Sequence, residues 1–238
     1  MVFKLNTKKK ILNPTIVVAF PGFGLVGVIA TEFLTTHMAV SKIGRHWFEQ
    51  LPASIAIHEG RMIDPVGVFY NEKSNVILVH SISAASGIEW EAANIAKEIA
   101  NLTKAKEIIC LDGVGIAQDV EPTGKIFFYS SEERDKKKFE NLKLEPLKES
   151  IVLGMAPALL LKSDIPVIAL FAETQSNLPD SKAAAKLIKV LDEYLELKVD
   201  SAPLLETAVK FEEKLRKMVA QNQKAADEQE KKKLSYVG

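Results

Sequence analysis

Residues with the potential for chemistry cluster first at Gly22-Phe23-Gly24-Leu25-Val26-Gly27. This G-x-G-x-x-G run follows the apolar, β-branched stretch Thr15 to Phe20 and precedes a helical pattern through Val28, Ile29, Phe33 and Leu34. Glycines so placed can let a dinucleotide pyrophosphate approach a helix N-terminus. That chemistry also needs an acid about 20 residues on, at the end of the next strand. Here that region is Ser41-Lys42-Ile43-Gly44-Arg45-His46-Trp47. The glycines therefore read first as a tight strand-to-helix turn that lets the helix pack closely. Leu111-Asp112-Gly113-Val114-Gly115 sets an acid at the C-terminal end of a strand, where open α/β sheets bind ligands. Asp112 reads as the cap of a turn or, alternatively, as a partner for a ribose or a metal.

The other reactive side chains are scattered. His37, His46, His58 and His80 show no H-x-x-x-H or H-E-x-x-H spacing, and Cys110 is alone, so neither a zinc site nor an intrachain disulfide is expected. Cys110 inside an apolar run points to a reducing compartment. His80-Ser81-Ile82-Ser83 has no G-x-S-x-G elbow around it, which leaves a Ser/His/Asp triad assembled in space as an open alternative. Only Arg45, Arg61, Arg134 and Arg216 could act as forks at an anion site.

These residues must be held by elements the pattern makes visible. Apolar runs at Thr15 to Phe20, Ser54 to His58, Val66 to Tyr70, Asn75 to His80, Ile108 to Leu111, Lys125 to Tyr129 and Pro166 to Phe171 read as strands. Ser86 and Glu89 have capping-box spacing before Trp90, Ala93, Ala96, Ile99 and Ala100 on one helical face; Ser130 and Glu133 repeat it before a charged segment. Asp180 is expected to cap a third helix with a stripe of Leu187, Ile188, Leu191, Tyr194 and Leu195. Fully apolar strands alternating with amphipathic helices imply a three-layer α/β domain over residues 1–200, its mixed sheet containing an antiparallel meander between residues 53 and 80.

Beyond it, residues 201–238 form a C-terminal helix and polar tail. Leu204, Ala208, Phe211, Leu215 and Met218 recur at spacings of 4, 3, 4 and 3, a sticky face for the chain's own body or, the reading favoured slightly, for a neighbouring protomer. The stripe fades into the polar stretch from Gln221 to Lys233 before Leu234-Ser235-Tyr236-Val237-Gly238.

The 238 residues carry 31 Lys+Arg and 31 Asp+Glu, which argues against a nucleic-acid binder. Neutrality is a cancellation: residues 1–14 carry +4, 15–200 carry −6 and 201–238 carry +2. The N-terminus does not read as a signal peptide and no run is long enough for a membrane span, so a cytoplasmic protein is expected.

Taken in order, Pro21 to Gly27, Ser86 to Trp90, Leu111 to Gly115, Gly154 to Leu161, and Glu173-Thr174 followed by Pro179-Asp180 resemble the proteasome assembly chaperone 2 family, and especially its archaeal members, over roughly residues 10 to 200. The resemblance implies a non-enzymatic protein without cofactor, similar in fold to nucleoside phosphorylases. It also implies a homo-oligomer, a tetramer or pentamer, that binds proteasome core-particle α subunits as chaperone or activator. In such relatives the tail docks between α-ring subunits through a terminal hydrophobic, tyrosine, any-residue tripeptide. Here Ser235 precedes Tyr236, and Val237 and Gly238 follow it. Leu234, Tyr236, Val237 and Gly238 are accordingly the candidate partner-binding residues. The Tyr236 ring would fill an apolar slot and the terminal carboxylate would pair with a lysine. Two alternatives stay open: a nucleoside- or nucleotide-binding enzyme of phosphorylase-like fold, and a structural subunit that co-assembles with a related chain.

Overall fold

The computed structural model of the chain describes residues 3–58, 60–83, 86–115, 123–174, 178–206 and 217. In chain order the strands are β1 (Thr15–Ala19), β2 (Ser41–His46), β3 (Ala56–His58), β4 (Arg61–Ile63), β5 (Val66–Asn71), β6 (Val76–Ser81), β7 (Glu107–Gly115), β8 (Ile126–Ser130), β9 (Glu145–Pro146) and β10 (Val167–Thr174). The helices are α1 (Val26–His37), α2 (Glu89–Thr103), α3 (Glu133–Asn141), α4 (Met155–Lys162) and α5 (Ser181–Leu195). Eight strands form one sheet in the order β2-β5-β6-β1-β7-β10-β8-β9, and β3 and β4 form a separate hairpin. The central strands β6, β1, β7 and β10 run parallel, while β2, β5 and β6 pair antiparallel and β8 runs antiparallel to β10.

Strict alternation along the central strands splits the core into two layers. Ile16 and Val18 of β1, Ile108 and Cys110 of β7, and Val167, Ala169 and Phe171 of β10 pack with α2 and α4. Val17 and Ala19, Ile109 and Leu111, and Ile168 and Leu170 pack with α1, α5 and Phe139 of α3 on the other face. Because both faces are covered, the central stretches at residues 16–19, 108–111 and 167–172 are apolar at every position, as parallel strands between helix layers must be. One buried polar staple crosses the sheet: Glu107 accepts from Thr15 Oγ1 at 2.8 Å and from Tyr194 Oη at 2.9 Å, which joins β7, β1 and α5.

The expected three-layer mixed sheet is found; of the meander expected between residues 53 and 80, β5 and β6 pair antiparallel within it, whereas β3 and β4 stand apart as the separate hairpin. Asp180 caps α5 by accepting the Ala183 N–H at 2.9 Å, and Leu187, Ile188 and Leu191 are fully buried. Four expectations need correction. Ser86 does not cap α2, which starts at Glu89 behind the buried Ile88 with no side-chain cap. Ser130 does not cap α3; its hydroxyl instead closes a turn on Glu132, accepting from its N–H at 3.1 Å and donating to its carbonyl at 3.0 Å. Trp90 turns away from the packing face, 53% exposed, and lies under the Lys162 ammonium at 5.6 Å. Asp112 sits inside β7 rather than in a turn, because β7 runs on to Gly115 in register with Thr174 of β10. Among the described residues no helix is long and apolar enough to cross a membrane.

The packing of α1 on the sheet depends on Gly27. A Cβ there would fall 2.4 Å from the Leu111 carbonyl oxygen and 3.1 Å from Ala19 Cβ. Gly27→Ala is expected to lower stability by about 1 to 3 kcal/mol, the usual penalty for overpacking a tight contact. A urea midpoint equal to that of the parent chain would show that helix and sheet have room to spare.

Candidate functional site

Four of the five motifs quoted above converge at the carboxyl ends of β1, β7 and β10. After β1 the chain makes a single 3-10 turn, Phe23 to Leu25, closed by the Leu25 N–H donating to the Gly22 carbonyl at 3.1 Å. Gly24 and Leu25 both take left-handed backbone angles, φ 62° and 48°. The Gly24 carbonyl accepts the Asp180 N–H at 2.9 Å, which ties this turn to the start of α5. Protein atoms fill the space each glycine opens. A Cβ on Gly22 would sit 2.2 Å from Asp112 Oδ1, on Gly24 2.7 Å from Thr174 Oγ1, and on Gly113 2.2 Å from the Phe23 carbonyl oxygen. The glycines are therefore used for close packing, and a carboxyl group lies where a pyrophosphate would need to approach.

Around this junction lies a cavity of about 280 Å³. Phe20, Phe23, Asp112 and Phe171 line it together with Ile151 and Met155, from the segment leading into α4. Gly154 precedes α4 with φ 98° and provides no side-chain cap. The Gly113 N–H donates to Asp112 Oδ1 at 2.8 Å. Burial pushes the Asp112 carboxyl up to about 7, and that hydrogen bond offsets only part of the rise. Beneath it, burial and then the charge of Asp112 push the Cys110 thiol well up, so this cysteine is a packed apolar residue with little thiolate.

Two further arrangements bear on the chemistry considered from sequence. His80 Nδ1 lies 2.9 Å from Thr31 Oγ1, and His80 Nε2 lies 3.1 Å from Glu32 Oε2. The order hydroxyl, imidazole, carboxylate resembles a nucleophile relay, yet Thr31 has no exposed surface and its hydroxyl also lies 3.0 Å from the Gly27 carbonyl. The group joins α1 to β6 in the interior. Burial also lowers His46, which packs edge-on against Phe48. Among the described residues no group of three His, Cys, Asp or Glu side chains is placed to hold a metal.

Of the residues singled out on the C-terminal segment, Leu204 is buried in the core layer formed with α1 and α5. Ala208, Phe211, Leu215 and Met218, and the tail residues Leu234, Tyr236, Val237 and Gly238, lie outside the described residues. Sequence reasoning missed Ile151 and Leu153 at the cavity mouth, 91% and 82% exposed. The signal was present as the apolar Ile151-Val152-Leu153 directly before Gly154. It also missed the β3–β4 hairpin as a separate unit, which exposes Ile57 and Met62 beside a hollow of about 820 Å³.

The Asp112 environment fixes the sign of a pH effect. An unfolded aspartate releases its proton near 3.9, so between about pH 4 and 7 the folded chain holds a proton that the unfolded chain has lost. This contribution to stability is complete below the unfolded value and fades as pH rises through about 7. Asp112→Asn should abolish it. Unfolding midpoints at pH 5.5 and pH 8 are expected to differ less in the variant than in the parent, and an equal difference would show that the Asp112 carboxyl titrates alike in the folded and unfolded chain.

Comparison with known proteins extends over nearly the whole chain. PbaA of Pyrococcus furiosus, an archaeal homolog of proteasome-assembly chaperone, is 29% identical and superposes with a TM-score of 0.81 over 91% of this chain and 96% of its own. PbaB of the same organism, an archaeal proteasome activator, shares the fold at 20% identity with a TM-score of 0.73, over 90% of this chain and 97% of its own. An uncharacterized protein of Methanocaldococcus jannaschii is 26% identical over 100% of this chain and 98% of that one. The model of the PAC2 family matches residues 16–219. By that match, the chain belongs to the PAC2 family.

Proposed function

We propose that this chain is a non-enzymatic chaperone or activator of the proteasome, which assembles with copies of itself and docks its C-terminal tails on the α-ring of the core particle. The observation that carries this reading is the likeness to PbaA, in both sequence and fold, over more than nine-tenths of each chain. The glycine turn supports it from the other side. An enzyme handling nucleotides at this turn would need the glycine faces open to close approach of phosphate, but the Cα faces of Gly22, Gly24 and Gly27 lie against Asp112, Thr174 and Leu111. Once ionised, the Asp112 carboxylate would repel any phosphate brought near it.

The mechanism follows from a rigid body joined to a polar tail. Residues 15–200 carry −6 and residues 201–238 carry +2, with Lys231, Lys232 and Lys233 directly before Leu234 and Tyr236. Tyr236 brings an aromatic ring with a hydrogen-bonding tip, and Gly238 brings the terminal carboxylate. Each contact is small. Several tails on one oligomer raise effective concentration and add strength without new contacts. Tyr236 stands third from the end with Ser235 before it, so the docked segment is read as Leu234 to Gly238 rather than the last three residues alone. Co-assembly with a related chain would serve the same end by placing unlike tails on one ring.

Deletion of Leu234 to Gly238 is the test. Co-purification with the α-ring protein is expected to fall by at least roughly tenfold, which corresponds to about 1.4 kcal/mol per site. Stimulation of peptide hydrolysis by the core particle is expected to change in parallel. Binding that survives the deletion intact would remove the tail from the mechanism and move recognition to the folded body. A thermal-shift series with nucleosides, nucleotides and phosphate tests the enzymatic alternative, because a true ligand at 100 times its Kd adds about 2.7 kcal/mol of stability.

A further inference from the structure

Asp112 is not explained by the packing it takes part in. Oδ1 rests against the bare Cα of Gly22 and accepts the Gly113 N–H, whereas Oδ2 has no hydrogen bond or ion pair among the described residues. Asp112 is partly exposed, and Oδ2 is open to the space beside it with no protein partner there among the described residues. Beside it is open space, the cavity of about 280 Å³, with aromatic and thioether walls from Phe20, Phe23, Phe171 and Met155. Its size is just below that of drug-sized sites, so it suits a compact body of roughly ten heavy atoms.

We infer that this cavity binds a small primary amine, the ammonium group seated on Asp112 Oδ2 and the apolar body lying among Phe20, Phe23, Met155 and Phe171. A cation is the complement the site lacks, since no Lys or Arg side chain among the described residues reaches Asp112 and all its other walls are apolar side chains, glycines or backbone, apart from Ser150 at the rim. A charge-assisted hydrogen bond there would be shorter and stronger than one between neutral groups. The aromatic walls add attraction for a cation in the same space. Anionic ligands are disfavoured by the same carboxylate. Gly22 is part of the site in this account: the missing Cβ is what allows the carboxyl to lie back against the turn and leave the cavity open.

The experiment uses the full chain at pH 8 with benzylamine as probe and benzyl alcohol as its uncharged counterpart. Benzylamine is expected to raise the thermal midpoint saturably, and the amide signals of Gly22, Gly113 and Gly154 are expected to shift along the same titration curve. Asp112→Asn should weaken benzylamine by roughly tenfold or more while leaving the alcohol unchanged. Nα-acetyl-lysine methylamide offers the same ammonium on the slim stem that a partner protein's lysine would bring, and is expected to bind more weakly than benzylamine. If the lysine derivative binds more tightly, the occupant is a protein side chain and the small-molecule assignment is wrong. Equal affinity of benzylamine for parent and variant, amide shifts confined to another part of the chain, or no saturation at about 10 mM, where even millimolar binding registers, would each overturn the inference.

Discussion

The β1–α1 turn is pressed against β7 at distances that only residues without a Cβ permit, and the rest of the molecule is arranged around that contact. Gly22 lies on the Asp112 carboxyl, Gly113 on the Phe23 carbonyl, and Gly27 on the Leu111 carbonyl. Through Gly24 the same turn touches Thr174 of β10 and, through its carbonyl, the start of α5 at Asp180. Four segments distant in sequence therefore depend on one backbone path. A side chain added at Gly27 or Gly113 would have to displace backbone atoms, and one at Gly22 or Gly24 the side chain of Asp112 or Thr174, which interiors packed at crystal-like density resist. The same compactness separates this turn from a phosphate cradle, in which the glycine faces must stay open to the ligand.

Much of the fold was legible because burial writes itself into residue type. Ile16 to Phe20, Ile108 to Leu111 and Pro166 to Phe171 are apolar at every position, and each supplies a strand covered on both faces. β2 was not legible, since Lys42 and Arg45 interrupt its pattern; as an edge strand it turns these charges outward, where they pair with Asp64. The glycine-rich Asp112 to Gly115 reads locally as a turn and is held extended only by its neighbour β10, a tertiary effect with no local signature. Ser86 has the chemistry of a cap, but burial of Ile88 sets where α2 begins. The Thr31, Glu32 and His80 group was invisible for a similar reason: Thr31 and His80 are 49 positions apart and meet only when α1 packs on β6.

The candidate site was legible in pieces. The motifs that carry the family resemblance are separated by up to about 150 residues, yet most of them meet at one end of the sheet, where they build the turn, the buried carboxyl and the wall of one cavity. Their shared role is structural first, since they create the close contact on which the body depends. Function in this reading is divided between that rigid body and the segment after residue 200, whose charge is opposite in sign. Leu204 anchors the beginning of that segment in the core beside α1 and α5, which fixes its base.

The central claim is an encounter between this protein and the proteasome α-ring, and the most direct measurement is sedimentation of the intact chain with purified core particle over a range of concentrations. The account predicts saturable co-sedimentation with more than one chain bound per particle, weakening as salt rises because the basic tail contributes to the encounter. Sedimentation of the chain by itself at all concentrations up to about 100 μM, well above the range of specific protein contacts, would contradict it.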